Sequence, residues 1–252
     1  MKKIKSNIQT FSLAFLLLWT FVACNKEVDA TKVISVELKG FNIGDAELEI
    51  SIDTVVFSKE KVSPNMELNF AKVYAYPSSQ KEISLKIKDI NSGKEVYNQP
   101  LDLNNNELEK FFQFIWIDGK QLEVKPPAAD PATNKIGFYI HYPQSNDPID
   151  IFMQNDEGQI AYLARNVQPS TWLYSDYLTS EGFKNPNANY NIYFTKAGTT
   201  DTWAFAENQW MSTAYANGIF LPQDGQTGKV CSIFVTPGTV DLRAVRLFKR
   251  PR

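Results

Sequence analysis

The chemistry open to this 252-residue chain is limited by what it holds in short supply. It has one histidine, His141 in FYIHYP, and two cysteines, Cys24 and Cys231. A Ser-His-Asp site would have to be built around His141, yet no Gly-x-Ser-x-Gly elbow supplies the nucleophile. Fourth in a strand-like run beside a proline, His141 reads as a strand residue at a sheet end. A zinc centre needs several His, Cys or carboxylate ligands, and this histidine and cysteine supply is too small for one. Cys231 sits in apolar VCSIFV, the setting of a buried, inert thiol. No Gly-rich phosphate loop is present. Carboxylates are plentiful, but a glycosidase-type pair needs two acids facing each other across a cleft. Asp147, Asp150, Asp156 and Glu157 cluster in DPIDIFMQNDEG. Several oxygens together suit calcium, while Asp156-Glu157-Gly158 is also turn chemistry with solvated acids, which is the reading adopted. These residues point to no catalytic set, no metal and no cofactor.

Aromatic side chains are the remaining chemistry. STWLYSDYLTSEGF carries Trp172, Tyr174 and Tyr177 in a polar, loop-like context, and AENQWMSTAYANG does the same for Trp210 and Tyr215. Such rings have an apolar face and a wet edge. Beside Asp, Asn and Gln they make a face on which a pyranose can stack its C–H groups and hydrogen-bond its hydroxyls. The other reading is that most of them fill the core. Trp172, Tyr174, Tyr177 and Trp210 are the candidate ligand-binding residues.

The elements that must position them follow a period of two. Ile34, Val36 and Leu38 alternate with Ser35 and Glu37; Ile83, Leu85 and Ile87 alternate with Ser84, Lys86 and Lys88. Asn91-Ser92-Gly93 and Asp118-Gly119 separate strand-like runs as hairpin turns. FFQFIWI (residues 111–117) is apolar on both faces apart from Gln113, as in a strand covered twice. Helix signals are thin, with NNNELEKF good for one turn at most. KPPAADPATN (125–134), with three prolines and four small residues, reads as a semi-rigid spacer able to hold two lobes apart by up to roughly 30 Å. The second half repeats the grammar of the first. KVISVELKGFNIGDAELEISI aligns with KIGFYIHYPQSNDPIDIFM, and YPSSQKEISLKIKDINSGKEVY with NPNANYNIYFTKAGTTDTWAF, partner strand included. The expected fold is all-β: two tandem Ig-like or transthyretin-like β-sandwich domains at 32–124 and 135–252.

With 43% hydrophobic and 21% charged residues the chain has ordinary globular usage. A formal net charge of -2 argues against a nucleic-acid partner. Lys2, Lys3 and Lys5 precede an apolar run from Phe11 to Val22 that is short for a membrane span and placed as a secretory signal is. Ala23-Cys24 resembles the lipobox of bacterial lipoproteins, with Phe21 where Leu is usual. The resemblance implies cleavage after residue 23, acylation of Cys24 and a tether at 24–31. Each buried acyl CH₂ contributes about 0.8 kcal/mol, so several chains make a firm membrane anchor. Lys26, Glu27 and Asp29 resemble the surface-export tag of Bacteroidetes lipoproteins. Residues 1–30 are expected to pack against nothing.

Asp147, Pro148, Ile149, Asp150, Ile151 and Phe152, and less closely Asp45, Ala46, Glu49, Ile50 and Ile52, resemble a bacterial Ig-like family of unknown function. The resemblance implies tandem domains on a surface lipoprotein and brings no activity with it. The expected function is non-catalytic: a lipid-anchored outer-membrane protein at the cell surface that binds polysaccharide through the second domain. The alternative is a structural or adhesive module whose partner is a surface protein.

Overall fold

The computed structural model describes residues 29–103, 107–185 and 190–249. Cys24, Lys26 and Glu27 lie outside them. Nearly all of the regular secondary structure in the described residues is strand. Its first half contributes β1 (Thr31–Ile43), β2 (Leu48–Ile52), β3 (Val55–Val56), β4 (Met66–Pro77), β5 (Glu82–Asp89), β6 (Glu95–Asp102), β7 (Glu109–Ile117) and β8 (Lys120–Leu122). Its second half contributes β9 (Asn134–Ile140), β10 (Ile149–Gln154), β11 (Ile160–Val167), β12 (Trp172–Tyr177), β13 (Asn191–Lys196), β14 (Thr213–Tyr215), β15 (Val230–Pro237) and β16 (Leu242–Arg246).

The duplication expected from the sequence appears as topology. The first half forms sheets ordered β4-β1-β7-β8 and β3-β2-β5-β6, and the second forms β12-β9-β15-β16 and β11-β10-β13-β14. Adding eight to each strand number of the first lobe gives the second. In both lobes the first strand runs parallel to the seventh, β1 with β7 and β9 with β15, and antiparallel to the fourth. The alternating residues then close two sandwich cores. One holds Val36, Leu38, Ile50, Leu85, Ile87 and Phe114; the other holds Phe138, Ile151, Phe194, Phe205, Ile233 and Val235. Asp118 and Gly119 both have positive φ, 46° and 79°, the two-residue turn whose twist matches a hairpin.

Three expectations need correction. Residues 125–134 do not hold the lobes apart. The outer faces of β1, β7 and β8 meet the outer faces of β9, β15 and β16 in a third apolar cluster of Phe41, Ile43, Ile115, Tyr139, Phe234, Val245 and Leu247. Gln113 donates to the Leu247 carbonyl across the seam, and Lys249 pairs with Glu109. Apolar side chains on the outward parity of both sheets make contact more favourable than solvated separation. Second, Asp29, expected to pack against nothing, is tied to the first lobe. Its carboxylate accepts the Ser79 amide at 3.0 Å and both the Ser78 and Ser79 hydroxyls, which hold its pKa below the usual carboxylate range. Third, TWAF does not form the partner strand of β13. Only an isolated bridge joins Thr195 to Trp203. Ala206 and Glu207 then adopt positive φ and divert the chain, so that β13 pairs instead with β14.

Candidate functional site

The structure divides the four candidate rings. WLYSDY (Trp172–Tyr177) is strand β12 rather than loop, and its parity decides the outcome. Leu173 and Tyr177 turn inward to the second-lobe core. Tyr177 is 5% exposed with its hydroxyl buried and unbonded, so it offers no face to a ligand; burial, then the neighbouring Cys231, raise its pKa. Trp172 and Tyr174 turn outward and stack on each other at 5.7 Å. Trp172 also leans on Tyr139 at 5.5 Å and flanks the seam between the lobes. Tyr174 lies over Gly137, where a Cβ would meet its ring at 2.2 Å, and its hydroxyl shares a 2.8 Å hydrogen bond with Ser232. Both rings are half-buried structural packing.

Trp210 stands apart, 74% exposed, and Tyr215 is 66% exposed. The segment that carries them is held by local hydrogen bonds and by packing against the core. Asn208 accepts hydrogen bonds from the amides of Trp210 and Met211 at 2.9 and 3.3 Å, capping a single 3-10 turn over Trp210–Ser212. The buried Ser212 hydroxyl accepts the Phe205 amide at 3.1 Å. Ala214, then Ala216 and Ile219 of the short helix α1 (Ala216–Ile219), sink into the core, and Met211 packs against it. With those positions anchored inward, Trp210, Thr213 and Tyr215 face out. They flank a groove of about 420 Å³ at the open edge of the sandwich, where β14 of one sheet lies beside β16 of the other. Leu242 and Ala244 contribute apolar lining, and Val240 and Asp241 close the far side. Trp210 is thus the candidate that the groove retains, and Tyr215 joins it.

A second cavity, about 490 Å³, opens between the lobes, lined by Phe41, Asn65, His141, Gln144, Thr236 and the β15–β16 hairpin. His141 is the outward residue after β9 and stacks on Phe234 at 6.5 Å. Burial disfavours its cation and lowers its pKa, with Asp118 opposing. The unfolded chain therefore binds this proton at a higher pH than the folded one. Stability is expected to fall as pH drops below about 6.5, the unperturbed value. Melting temperature measured from pH 7 to pH 5 should decline, and His141→Gln should flatten that decline. The depressed Asp29 and Asp89 carboxylates act only at lower pH, near the ordinary carboxylate range.

The remaining candidates take structural roles. Among the described residues no three His, Cys, Asp or Glu side chains converge on a metal position. Asp150 is buried, accepting the amides of Asn166 at 2.8 Å and Gly198 at 3.0 Å. Cys231 is buried and free, its thiol pushed up to about 12 by desolvation. Each of the two cavities is lined by one carboxylate, Asp241.

No protein-family model and no curated protein matches the chain. Solved structures give distant likenesses. The Bacillus anthracis TIE protein is 11% identical with a TM-score of 0.21, over 82% of this chain and 34% of that one. A family 26 carbohydrate-binding module from Eubacterium rectale Amy13K, crystallised with maltoheptaose, is 15% identical with a TM-score of 0.25, over 86% and 98%. A Bacteroides ovatus protein described as an adhesin is 10% identical with a TM-score of 0.19, over 87% and 94%. This chain thus spans about a third of the first of these proteins. At such TM-scores the likenesses carry no argument about function.

Proposed function

We propose that the protein captures glycan at the cell surface through the Trp210–Tyr215 groove, held to the outer membrane by a lipidated Cys24. One observation carries the binding reading: two rings, 74% and 66% exposed, that line one groove. Leaving a tryptophan this exposed forgoes roughly 3–4 kcal/mol of burial. A fold that holds it there, with the adjacent Met211 packed against the core, presents a surface suited to contact. Thr213 and Asp241 line the same groove as the two rings, so a sugar there would meet apolar ring faces for its C–H groups and polar groups for its hydroxyls. Trp210→Ala should weaken binding to a recognised polysaccharide in affinity gel electrophoresis at least tenfold, about 1.4 kcal/mol. Its melting temperature should stay close to that of the unaltered protein, since the ring packs against little. Equal retardation of the two proteins by every polysaccharide contradicts the reading.

The second reading is a surface protein partner, and Val240 favours it. At 71% exposed it extends the apolar character of the groove across the hairpin crest. Crosslinking to an outer-membrane protein that Trp210→Ala abolishes, together with no binding to polysaccharide, would select it.

A further inference from the structure

We propose that the ligand is an extended, uncharged glycan chain that runs from the Trp210–Tyr215 groove over the β15–β16 hairpin into the cleft between the lobes. The inference rests on the glycan reading of the groove and adds the length and charge class of the ligand. Val240 and Asp241 line both cavities, which are therefore neighbours across one turn and not separate pits. Val240 stands exposed on the crest between them, an apolar step over which the C–H face of a sugar can pass. The turn is tied down by the Gly238 amide donating to the Asp241 carbonyl at 2.7 Å, so the two cavities keep a fixed relation.

The chemistry of the far cavity gives the charge class. Its ionised lining groups cancel: the Asp241 carboxylate lies 3.3 Å from the Arg243 guanidinium, and desolvation favours neutral His141 at pH 7. What remains are the Asn65 and Gln144 amides and the Thr236 and Thr239 hydroxyls, which donate to and accept from hydroxyl groups without selecting a charge. Asn65 comes from the first lobe, so a chain reaching it touches both sandwiches. Docking against the second lobe therefore gives the first a share in the site.

The test titrates the full chain with cello-, malto-, manno- and xylo-oligosaccharides, from disaccharide to octasaccharide, and with oligogalacturonides as anionic comparators. In at least one neutral series affinity should rise about tenfold or more with length before levelling. The double variant Asn65→Gly, Gln144→Ala should lose about tenfold on the octasaccharide while keeping disaccharide affinity. Glycine suits the positive φ of 57° at Asn65, and both side chains are exposed, so folding is spared. Trp210→Ala should weaken both lengths. Affinity independent of length, or an unaltered octasaccharide affinity in the double variant, overturns the extended track while leaving the groove standing. Tighter binding of oligogalacturonides overturns the charge class. Failure of every series overturns the groove reading itself.

Discussion

Phe234→Ala is expected to lower the first melting transition by about 10 °C and to split one cooperative unfolding into two. Phe234 is fully buried, yet none of it lies in either sandwich core. It is the outward residue of β15, wedged among Phe41 at 5.7 Å, Tyr139 at 5.9 Å and His141 at 6.5 Å. Removing a buried phenylalanine costs about 3–5 kcal/mol, and in a chain of this size each kcal/mol shifts the midpoint by roughly 2–4 °C. The cores on either side remain filled by their own side chains, so each lobe keeps a reason to fold after the seam is lost. Calorimetry reads the split directly. Phe41→Ala, which empties the same seam from the first lobe, should reproduce it. A single transition at the original temperature in both variants would show that the lobes do not stabilise each other.

The second large effect falls on Asp150→Ala, for which a loss of roughly 2–5 kcal/mol is expected. The Asp150 carboxylate, 4% exposed, holds two backbone amides that have left the regular ladder. One is Asn166, at φ 57° beside a register shift between β10 and β11, and the other is Gly198, at φ 81° in the turn after β13. Each buried donor left unsatisfied costs about 1–3 kcal/mol. Asp150→Asn, whose amide offers one acceptor oxygen, should lose about half as much. Chemical denaturation measures both. A chelator is expected to leave the unaltered protein's melting temperature where it is, since both oxygens of this carboxylate already accept backbone amides. A calcium-dependent melting temperature abolished by Asp150→Asn would contradict that assignment.

The period of two placed strands correctly at Ile34–Leu38 and Ile83–Ile87, and the hairpin at Asp118-Gly119 followed from the turn chemistry alone. FFQFIWI announced a strand covered on both sides, but parity cannot say by what. Phe114 and Trp116 face their own core, while Ile115 and Ile117 face the other lobe. The spacer composition of 125–134 suggested separation because local stiffness says nothing about apolar faces far away in sequence. Which of the rings face solvent was hidden for a related reason. In STWLYSDY aromatic residues stand on both parities, which hides the strand's inner and outer faces. Trp172 and Tyr177 therefore looked alike, although one flanks the seam and the other is core. Trp210 and Tyr215 carry their own signal, since Ala214, Ala216 and Ile219 between and beyond them are small or aliphatic anchors. The β15–β16 hairpin at Pro237-Gly238 was not among the turns read from the sequence. Its position between two cavities depends on how β16 meets β14, and no local pattern records that.

The central claim, that Trp210 stands at the ligand-binding surface, is tested most directly by intrinsic fluorescence during titration with a bound neutral oligosaccharide. The ring is solvent-exposed and Trp116 is buried in the first-lobe core, so stacking a sugar on Trp210 should shift its emission to the blue. That shift should vanish in Trp210→Ala and persist in Trp172→Phe. A shift that survives Trp210→Ala, or that is lost with Trp172, would contradict the account and move the site to the seam side of β12.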